Sequence, residues 1–140
     1  MAYDMRRTKA SARQQARLIE YRLADGWRVL AGRTGADNEE LSLRLARPED
    51  WWFHARAVPG SHVVLQARPD AEPSREILKQ AAAIAAYHSK ARAGGVVPVS
   101  YTRVRDVSKP RGSKPGTVAI RREVVIKVRP AIPSATEPEA

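Results

Sequence analysis

The sequence predicts an α+β fold in which a mostly antiparallel β-sheet carries a long helix packed on one face. Short apolar runs bounded by glycine, proline and polar residues predict the strands. Apolar residues at helical spacing over residues 75–93 predict the long helix. A chain of 140 residues without cysteine can bury a core that needs no disulfides. These observations indicate one folded domain, which we place at residues 25–130.

Two terminal segments flank the predicted domain. Arginine and lysine alternate with alanine, leucine and isoleucine from Met5 to about Leu23, so we predict a basic, arginine-rich N-terminal helix over residues 1–24. Its apolar stripe is narrow, which leaves open whether the helix docks on the domain or projects from it. Residues 131–140 are expected to form a disordered tail.

Local signals predict the elements of the domain in order. In its first half they are a strand at residues 27–31, a helix capped by Asp37 or Asn38 and ending near Leu45, and a hairpin over residues 50–64 that turns at Pro59-Gly60. In its second half they are a helix from Arg75 to about Ala93 capped by Ser74, a strand at 96–102 whose Pro98 suggests an edge or a bulge, a basic loop at 104–116, and a final pair of strands at 117–120 and 124–128.

The hairpin concentrates the aromatic side chains. It holds two of the three tryptophans, the only phenylalanine and two of the three histidines. In an extended segment Trp51 and Trp52 point to opposite faces, so at most one is exposed and the other joins the core. Trp27 and Phe53 are also expected in the core. The bend should then present two imidazoles, a hydroxyl and a carboxylate.

The chain is strongly basic, with a net charge of +10, and arginine supplies 19 of its 25 cations. Residues 101–130 carry nine cations against two acids, whereas the middle of the chain is nearly neutral. Such a field attracts polyanions, and arginine binds phosphate bidentately and stacks on bases. A GC-rich genome is an alternative reason for arginine over lysine, but it does not explain why the charge is segregated.

Several classes of protein are disfavoured. No apolar run approaches the roughly 20 residues that span a bilayer, and no apolar segment follows the charged N-terminus. We therefore expect a soluble cytoplasmic protein without a membrane partner. The sequence has no GxGxxG, Walker or Cys/His motif, so we expect no nucleotide cofactor and no zinc module.

The hairpin also contains residues of catalytic type. Asp50, His54, Ser61 and His62 are the side chains of a hydrolytic triad, but no strained elbow or glycine-rich oxyanion loop accompanies them. Asp50, His54 and His62 could converge on a metal ion, although their spacing is not diagnostic. A buried His62 that hydrogen-bonds the turn is the plainer alternative. We expect neither a catalytic nor a metal site, and keep a small tRNA- or RNA-processing hydrolase as the alternative function.

Charge, arginine bias, the basic loop and the aromatic bend together favour RNA binding, since RNA-binding proteins combine phosphate-binding cations with aromatic platforms. The motifs support this by resemblance. Gly32-Arg33-x4-Asn38, Asp50-x-Trp52-Phe53-His54-Ala55, Pro59-Gly60-Ser61-His62-Val63, Ala81-Ala82-x2-Ala85-Ala86-x2-Ser89-Lys90, Val99-x-Tyr101-Thr102 and Lys109-Pro110-x-Gly112-x-Lys114-Pro115-Gly116 resemble, in this order, the NFACT RNA-binding domain. That domain is the C-terminal module of the ribosome-associated quality control factors that extend stalled nascent chains.

The resemblance implies a non-enzymatic protein that binds tRNA or rRNA, with the large ribosomal subunit as an expected partner. Full-length family members also carry an N-terminal NFACT domain, helix-hairpin-helix segments and a coiled coil, so we expect a free-standing version of the RNA-binding module. The bend and the basic loop should lie close enough for one RNA to touch both. Asp50 is expected to support the site, by orienting His54 or by hydrogen-bonding the turn. The expected RNA-binding residues are Arg33, Asn38, Trp52, His54, Ser61, His62, Arg105, Lys109, Arg111 and Lys114.

Overall fold

The computed structural model describes residues 17–133, and it confirms an α+β fold with an antiparallel sheet. Six strands form the main sheet in the order β1-β2-β4-β3-β5-β8, and β6 and β7 form a separate ribbon. A 3-10 turn at Ala24–Gly26, a π-helical turn at Leu41–Leu45 and a 3-10 turn at Val104–Asp106 connect some of these elements. The elements are β1 (Ile19–Arg22), β2 (Arg28–Ala31), α1 (Gly35–Glu40), β3 (Trp51–Ala55), β4 (Val63–Leu65), α2 (Arg75–Tyr87), β5 (Val97–Arg103), β6 (Val107–Ser108), β7 (Ala119–Ile120) and β8 (Val124–Val128).

Helix α2 covers one face of the sheet and builds the larger core. Its buried alanines Ala81, Ala82 and Ala85 allow close approach to Phe53 and Val63 on the sheet. The Ser74 side chain accepts a hydrogen bond from the Ile77 amide at 3.1 Å, which confirms the predicted N-cap.

Helix α2 is shorter than predicted, because it ends at Tyr87 rather than near Ala93. Ser89 donates its hydroxyl to the Ala86 carbonyl at 2.8 Å and accepts from the Ala91 amide at 3.1 Å. Ser89 also forms a β-bridge with Gly60 in the hairpin bend. Pairing with the hairpin therefore replaces the last predicted turns of the helix.

The opposite face of the sheet carries a smaller core. Trp52, Val64 and Leu30 pack there against Leu41 of the π-helical turn and Val104. Helix α1 leads into that turn, so the predicted short helix is present as far as Leu45. Its cap is Thr34 and not Asp37 or Asn38: the Thr34 hydroxyl oxygen accepts from the Asp37 amide at 3.1 Å. A three-layer arrangement results, with the sheet in the middle.

The predicted N-terminal helix is wrong over Ile19–Arg22, where the chain forms β1 and pairs antiparallel with β2. Tyr21 is buried in this strand while Glu20 and Arg22 are more exposed, the alternation of a half-buried strand. Residues 5–16 of the predicted helix lie outside the described residues. The sheet therefore begins before the domain boundary that we predicted at residue 25.

The last strands also pair differently from the prediction. β7 pairs with β6, and β8 pairs with β5, so the two predicted partners are not neighbours. Pro98 lies inside the sheet, between β3 and β8, rather than at an edge. It is only the second residue of β5, and its carbonyl accepts from the Arg56 amide at 2.9 Å.

Three residues of the predicted tail are described, and they contact the domain. The Ala131 amide donates to the Ala83 carbonyl at 3.1 Å, and Ile132 packs against the larger core. The remaining tail residues, 134–140, lie outside the described part of the chain. Within residues 17–133, no helix is long and apolar enough to cross a membrane.

Candidate nucleic-acid interface

The predicted hairpin is present and its bend is docked on the end of α2. Strands β3 and β4 pair antiparallel with Trp51 opposite Leu65. In the bend, the Ser61 amide donates to the His88 carbonyl and the Lys90 amide donates to the Pro59 carbonyl, both at 2.9 Å. The bend is therefore held by backbone contacts to a rigid helix end.

Asn38, Gly32 and the bend form one hydrogen-bonded unit. The His62 amide donates to Asn38 Oδ1 at 3.0 Å, and the Gly32 amide donates to the His62 carbonyl at 3.1 Å. The Ser61 hydroxyl donates to the Gly32 carbonyl at 2.6 Å. A Cβ on Gly32 would lie 2.1 Å from Asn38 Oδ1, so any larger residue here would have to displace the Asn38 side chain. Asn38 and Ser61 thus position the bend through contacts inside the protein.

The two hairpin histidines lie together above Trp52. Trp52 Nε1 donates to Ser42 Oγ at 3.0 Å, and Ser42 Oγ lies 2.8 Å from His62 Nδ1. Trp52 and His62 are each only 3% exposed. The half-buried His54 ring stacks on Trp52 with centroids 5.9 Å apart and meets His62 edge-on at 5.5 Å. Trp52 and His62 therefore lie beneath the surface, and only His54 of the three is partly open to solvent.

Both imidazoles are poor bases in this environment. Burial, together with repulsion from a protonated His54, lowers the pKa of His62 to about 4, although the Gly116 and Asn38 backbone carbonyls favour its charged form. Burial likewise lowers the pKa of His54, against hydrogen bonding to the backbone at Gly60 and Ala55. Both rings are consequently neutral at pH 7 and do not act as phosphate-binding cations.

Asp50 lies at the other end of the hairpin. Its carboxylate accepts from the Arg47 and Ala67 amides, each at 2.8 Å, and it is 1% exposed. These bonds hold the turn before β3 and the chain after β4, whereas the turn at Pro59-Gly60 that Asp50 is predicted to support lies at the opposite end of the hairpin. Four residues of extended chain, about 13 Å, separate Asp50 from His54. Asp50 is thus not placed to orient that imidazole.

The chemistry of a triad or a metal centre is not assembled here. Asp50 is remote from the imidazoles, and the Ser61 hydroxyl donates to a carbonyl instead of pairing with a histidine. Within the described range 17–133, no three histidine, aspartate or glutamate side chains are grouped to hold a metal ion. In the bend, Ser61 and Asn38 hold the backbone in place through internal hydrogen bonds.

Residues 104–108 of the predicted basic loop are not loop, because they form the 3-10 turn and β6. The rest, residues 109–116, is the basic loop from here on, and Glu39 ties it to α1. Glu39 Oε1 accepts from the Gly116 amide at 3.0 Å and lies 3.3 Å from Lys109 Nζ. The Gly116 hydrogen bond first, and Lys109 in addition, hold the pKa of Glu39 below its usual value. Lys109 also donates to the Ser113 carbonyl at 2.7 Å and to the Lys114 carbonyl at 3.3 Å, so it organises the loop from within.

The basic loop packs against Gly35 at the start of α1 and reaches the bend at His62. A Cβ on Gly35 would lie 3.0 Å from the Pro115 carbonyl oxygen, and a Cβ on Gly116 would lie 3.2 Å from the Gly35 Cα. The Gly116 carbonyl faces His62 in the bend. The structure therefore brings the two predicted regions together on one side of the domain. Arg111 and Lys114 are exposed there, with no carboxylate partner among residues 17–133.

A cleft of about 460 Å³, lined in part by Gly35, opens between the bend and the end of α2. Arg33, Lys90 and Arg92 line it, and no acidic residue does. Of these three cations only Arg33 was among the predicted contacts. Lys90 and Arg92 follow a helix whose early end cannot be read from its periodicity, and the motif Ser89-Lys90 was the only signal.

Arg105 is separated from this surface. Its amide donates to the Pro48 carbonyl at 3.2 Å and its guanidinium to Glu49 at 3.1 Å, near Asp50 at the far end of the hairpin. Ser42, in contrast, belongs to the site but was not predicted, because Leu41-Ser42-Leu43 looks like any amphipathic turn. The RNA contacts assigned from the sequence to individual residues stay predictions.

The antiparallel sheet, covered on one face by α2 and bordered by a cationic cleft, defines a small α+β domain. Residues 17–122 match the family described as the NFACT protein RNA binding domain, and the chain belongs to this family. The resemblance drawn from the motifs is thereby confirmed.

Curated relatives and a solved structure share sequence and fold with this chain. The chain is 41% identical over 113 residues to the Rqc2 homolog RqcH of Bacillus subtilis, which covers 81% of this chain and 19% of the relative. It is 37% identical over 126 residues to the Rqc2 homolog RqcH of Streptococcus pneumoniae, covering 89% and 22%. The structure of the C-terminal part of the fibronectin/fibrinogen-binding protein from Streptococcus suis superposes with a TM-score of 0.74 at 38% identity, covering 80% of this chain and 45% of that one. The chain thus spans about a fifth of the length of the curated relatives it matches.

Proposed function

We propose that this domain binds tRNA or rRNA in ribosome-associated quality control, in the cytoplasm, and that it catalyses no reaction. Membership of an RNA-binding domain family and likeness to Rqc2 homologs support the proposal. The large ribosomal subunit is the partner that we propose for it. Because the chain matches only part of those relatives, we do not propose that it extends stalled nascent chains.

One observation carries the proposal: the cationic cleft and the basic loop adjoin at Gly35, which lines the cleft and packs against Pro115 and Gly116. Many arginines elsewhere are neutralised, for example Arg28 by Glu20 at 2.7 Å and Arg122 by Asp106 at 3.1 Å. Around Gly35, five cations have no carboxylate within ion-pair distance among residues 17–133, and they are Arg33, Lys90, Arg92, Arg111 and Lys114. Such cations are available to RNA phosphates.

We assign different roles to the predicted residues. Arg33, Arg111 and Lys114 contact phosphate, since they are exposed and free of carboxylate partners in the described range. Lys109 shapes the loop that carries two of them. Buried or internally bonded residues hold the hairpin: Asn38, Trp52, Ser61 and His62 at the bend, and Asp50 at its other end. His54 lies at the rim of the bend as a neutral, half-buried ring.

The test is binding of labelled tRNA and of rRNA fragments by fluorescence anisotropy, over a series of salt concentrations. We expect binding that weakens with salt, with each phosphate contact adding roughly −0.7 to −0.9 to the log–log slope. Arg111→Ala with Lys114→Ala should weaken affinity and flatten the slope by about 1.4 to 1.8.

The matched control is Arg75→Ala with Lys79→Ala, which removes the same charge from exposed positions on α2, away from Gly35. Equal effects of the two pairs would contradict a localised RNA surface. Co-sedimentation with purified large subunits tests the proposed partner. Turnover of aminoacyl-tRNA by the wild-type protein, lost in His62→Gln, would overturn the non-enzymatic part of the proposal.

A further inference from the structure

We propose that the cleft beside Gly35 takes a single unpaired nucleotide of the RNA, with its phosphate between Arg33 and Lys90 and its base against Arg92. This inference rests on the proposed RNA binding and specifies the form of RNA that the site selects. It assigns a role to Arg92 and Tyr87, which no motif indicates, and gives Lys90 of the Ser89-Lys90 motif a specific contact.

The cleft has the size and the rigidity of a ligand site. Its volume of about 460 Å³ falls within the range of small-molecule pockets, which is roughly 300–1,000 Å³. One wall is the bend and another is the end of α2, and the two walls are joined by the Gly60–Ser89 bridge and the Lys90–Pro59 hydrogen bond of 2.9 Å. A Cβ on Gly60 would lie 2.8 Å from Ser89 Cβ, so the walls meet closely where glycine stands. The cleft is therefore preformed.

The charge of the cleft suits a phosphodiester. Arg33 and Lys90 are exposed on walls from different parts of the chain, and neither has a carboxylate within ion-pair distance among the described residues. No aspartate or glutamate lines the cleft. The neutral polar groups that complete it include Asn38 and Ser61, whose hydrogen bonds hold the walls in place.

Arg92 supplies the planar cation on which the base would stack. The Arg92 guanidinium, which is planar, lies 4.5 Å from the centre of the Tyr87 ring, a cation–π arrangement that orients it. Tyr87 in turn meets the His88 ring edge-on at 5.1 Å. Bases of unpaired RNA stack on aromatic rings and on arginine planes. In a duplex both faces of each base are already stacked, so the cleft selects single-stranded segments.

The experiment measures anisotropy of one labelled 12-nucleotide RNA, alone and annealed to its complement. Arg33→Gln with Lys90→Gln is expected to weaken single-strand binding about tenfold and to flatten the salt slope by about 1.4. The control Arg75→Gln with Lys79→Gln also removes one arginine and one lysine, from exposed positions remote from the cleft. It should leave both quantities nearly unchanged, and duplex binding should not distinguish the two pairs. Circular dichroism verifies that both variants are folded.

A second variant separates stacking from charge. Arg92→Lys keeps the charge but removes the plane, so we expect single-strand affinity to fall about fivefold or more with an unchanged salt slope. Photocrosslinking of RNA that contains 4-thiouridine should attach to Tyr87 or to its neighbours at the end of α2.

The outcomes separate this inference from the proposed function. Wild-type protein that binds neither RNA would overturn both. RNA binding that is lowered equally by the cleft pair and the control pair, or equally for single strand and duplex, overturns the cleft assignment alone. Binding of free AMP that the cleft pair abolishes, with RNA binding intact, would identify a small-molecule site and also overturn it.

Discussion

The His62 amide donates to Asn38 Oδ1 at 3.0 Å, and this bond joins the hairpin bend to α1 across 24 positions of sequence. The same asparagine side chain fills the space beside Gly32. Both faces of the candidate site depend on this bond, because α1 carries the basic loop through Glu39 and the bend forms a wall of the cleft.

Gly32→Ala should therefore displace Asn38 and break the link. The new Cβ would lie 2.1 Å from Asn38 Oδ1, and a buried amide left without its acceptor costs about 1–3 kcal/mol. Urea denaturation should show that the free energy of unfolding falls by this amount or more. Gly94→Ala is the control, since its Cβ would meet only the Ala91 carbonyl at 3.3 Å. Equal stability of the two variants would show that Asn38 moves aside without cost.

Stability should fall on acidification because His62 is buried in its neutral form. Its pKa is about 4 in the folded state, below the ordinary value of 6.5 in the unfolded chain. The unfolded chain thus binds the proton first, and stability present above pH 6.5 is lost as the pH falls toward 4. The full effect is about 3 kcal/mol. Burial lowers the pKa of His54 and His88 too, and both act in the same direction.

The check is urea denaturation of wild type and His62→Gln between pH 7 and 4.5. Most carboxylates have pKa values below this range, so they contribute little to the change in stability. The glutamine variant should be less stable at pH 7 but should show a shallower decline with acid. His88→Gln is the comparison variant, since it makes the same replacement at a half-buried position. There the Tyr21 hydroxyl lies 2.6 Å from the His88 ring nitrogen. An unchanged pH slope in His62→Gln would mean that His62 is not the group that titrates.

The hairpin and α2 could be predicted because each is specified by its own local pattern. The side chains of Trp51–Phe53 point alternately to the two faces of a single strand, and Ile77, Ala81 and Ile84 recur at helical spacing within a single helix. β1 was mistaken for helix because Leu18-Ile19-Glu20-Tyr21-Arg22 fits both periods at so short a length. Pairing with β2, a tertiary contact, decides the outcome.

The candidate site was only partly predictable for a related reason. The composition placed cations and aromatics in the bend and in the basic loop, and the structure brings those two regions together. Which cations face RNA depends on long-range docking: Lys109 is bonded to Glu39, whereas Lys90 reaches the cleft because the bend pairs with Ser89. Neither contact leaves a trace in the local sequence.

Lys109→Ala should act on the structure of the basic loop. Its ammonium bonds Glu39, the Ser113 carbonyl and the Lys114 carbonyl, so its loss removes one of the two bonds to Glu39 and loosens the loop itself. Hydrogen exchange at the Gly116 amide should accelerate in this variant. Lys114→Ala removes the same charge without those bonds, and should lower RNA affinity while exchange at Gly116 stays slow. Equal exchange rates in the two variants would refute the organising role of Lys109.

Arg105→Ala should lower RNA affinity less than Lys114→Ala, although both positions were expected to contact RNA. Arg105 donates to Glu49 at 3.1 Å and lies near Asp50, at the end of the hairpin away from Gly35. Anisotropy with the same tRNA at one salt concentration compares the two variants directly. A larger loss from Arg105→Ala would place part of the RNA surface at the far end of the hairpin.

Asp50→Ala should destabilise the fold without removing an RNA contact. Its carboxylate accepts from the Arg47 and Ala67 amides at 2.8 Å each, and hydrogen bonds to a charged group contribute about 1.5–3 kcal/mol apiece. We expect the free energy of unfolding, measured by urea denaturation, to fall by roughly 3–6 kcal/mol. Asp70→Ala is the control, since Asp70 is an exposed residue whose ion pair with Arg68 spans 3.4 Å at the surface. At a temperature where Asp50→Ala remains folded, its RNA affinity should equal that of wild type, because a carboxylate 1% exposed at the far end of the hairpin cannot reach phosphate. A folded Asp50→Ala protein with weakened RNA binding would instead show that the support extends along β3 to His54.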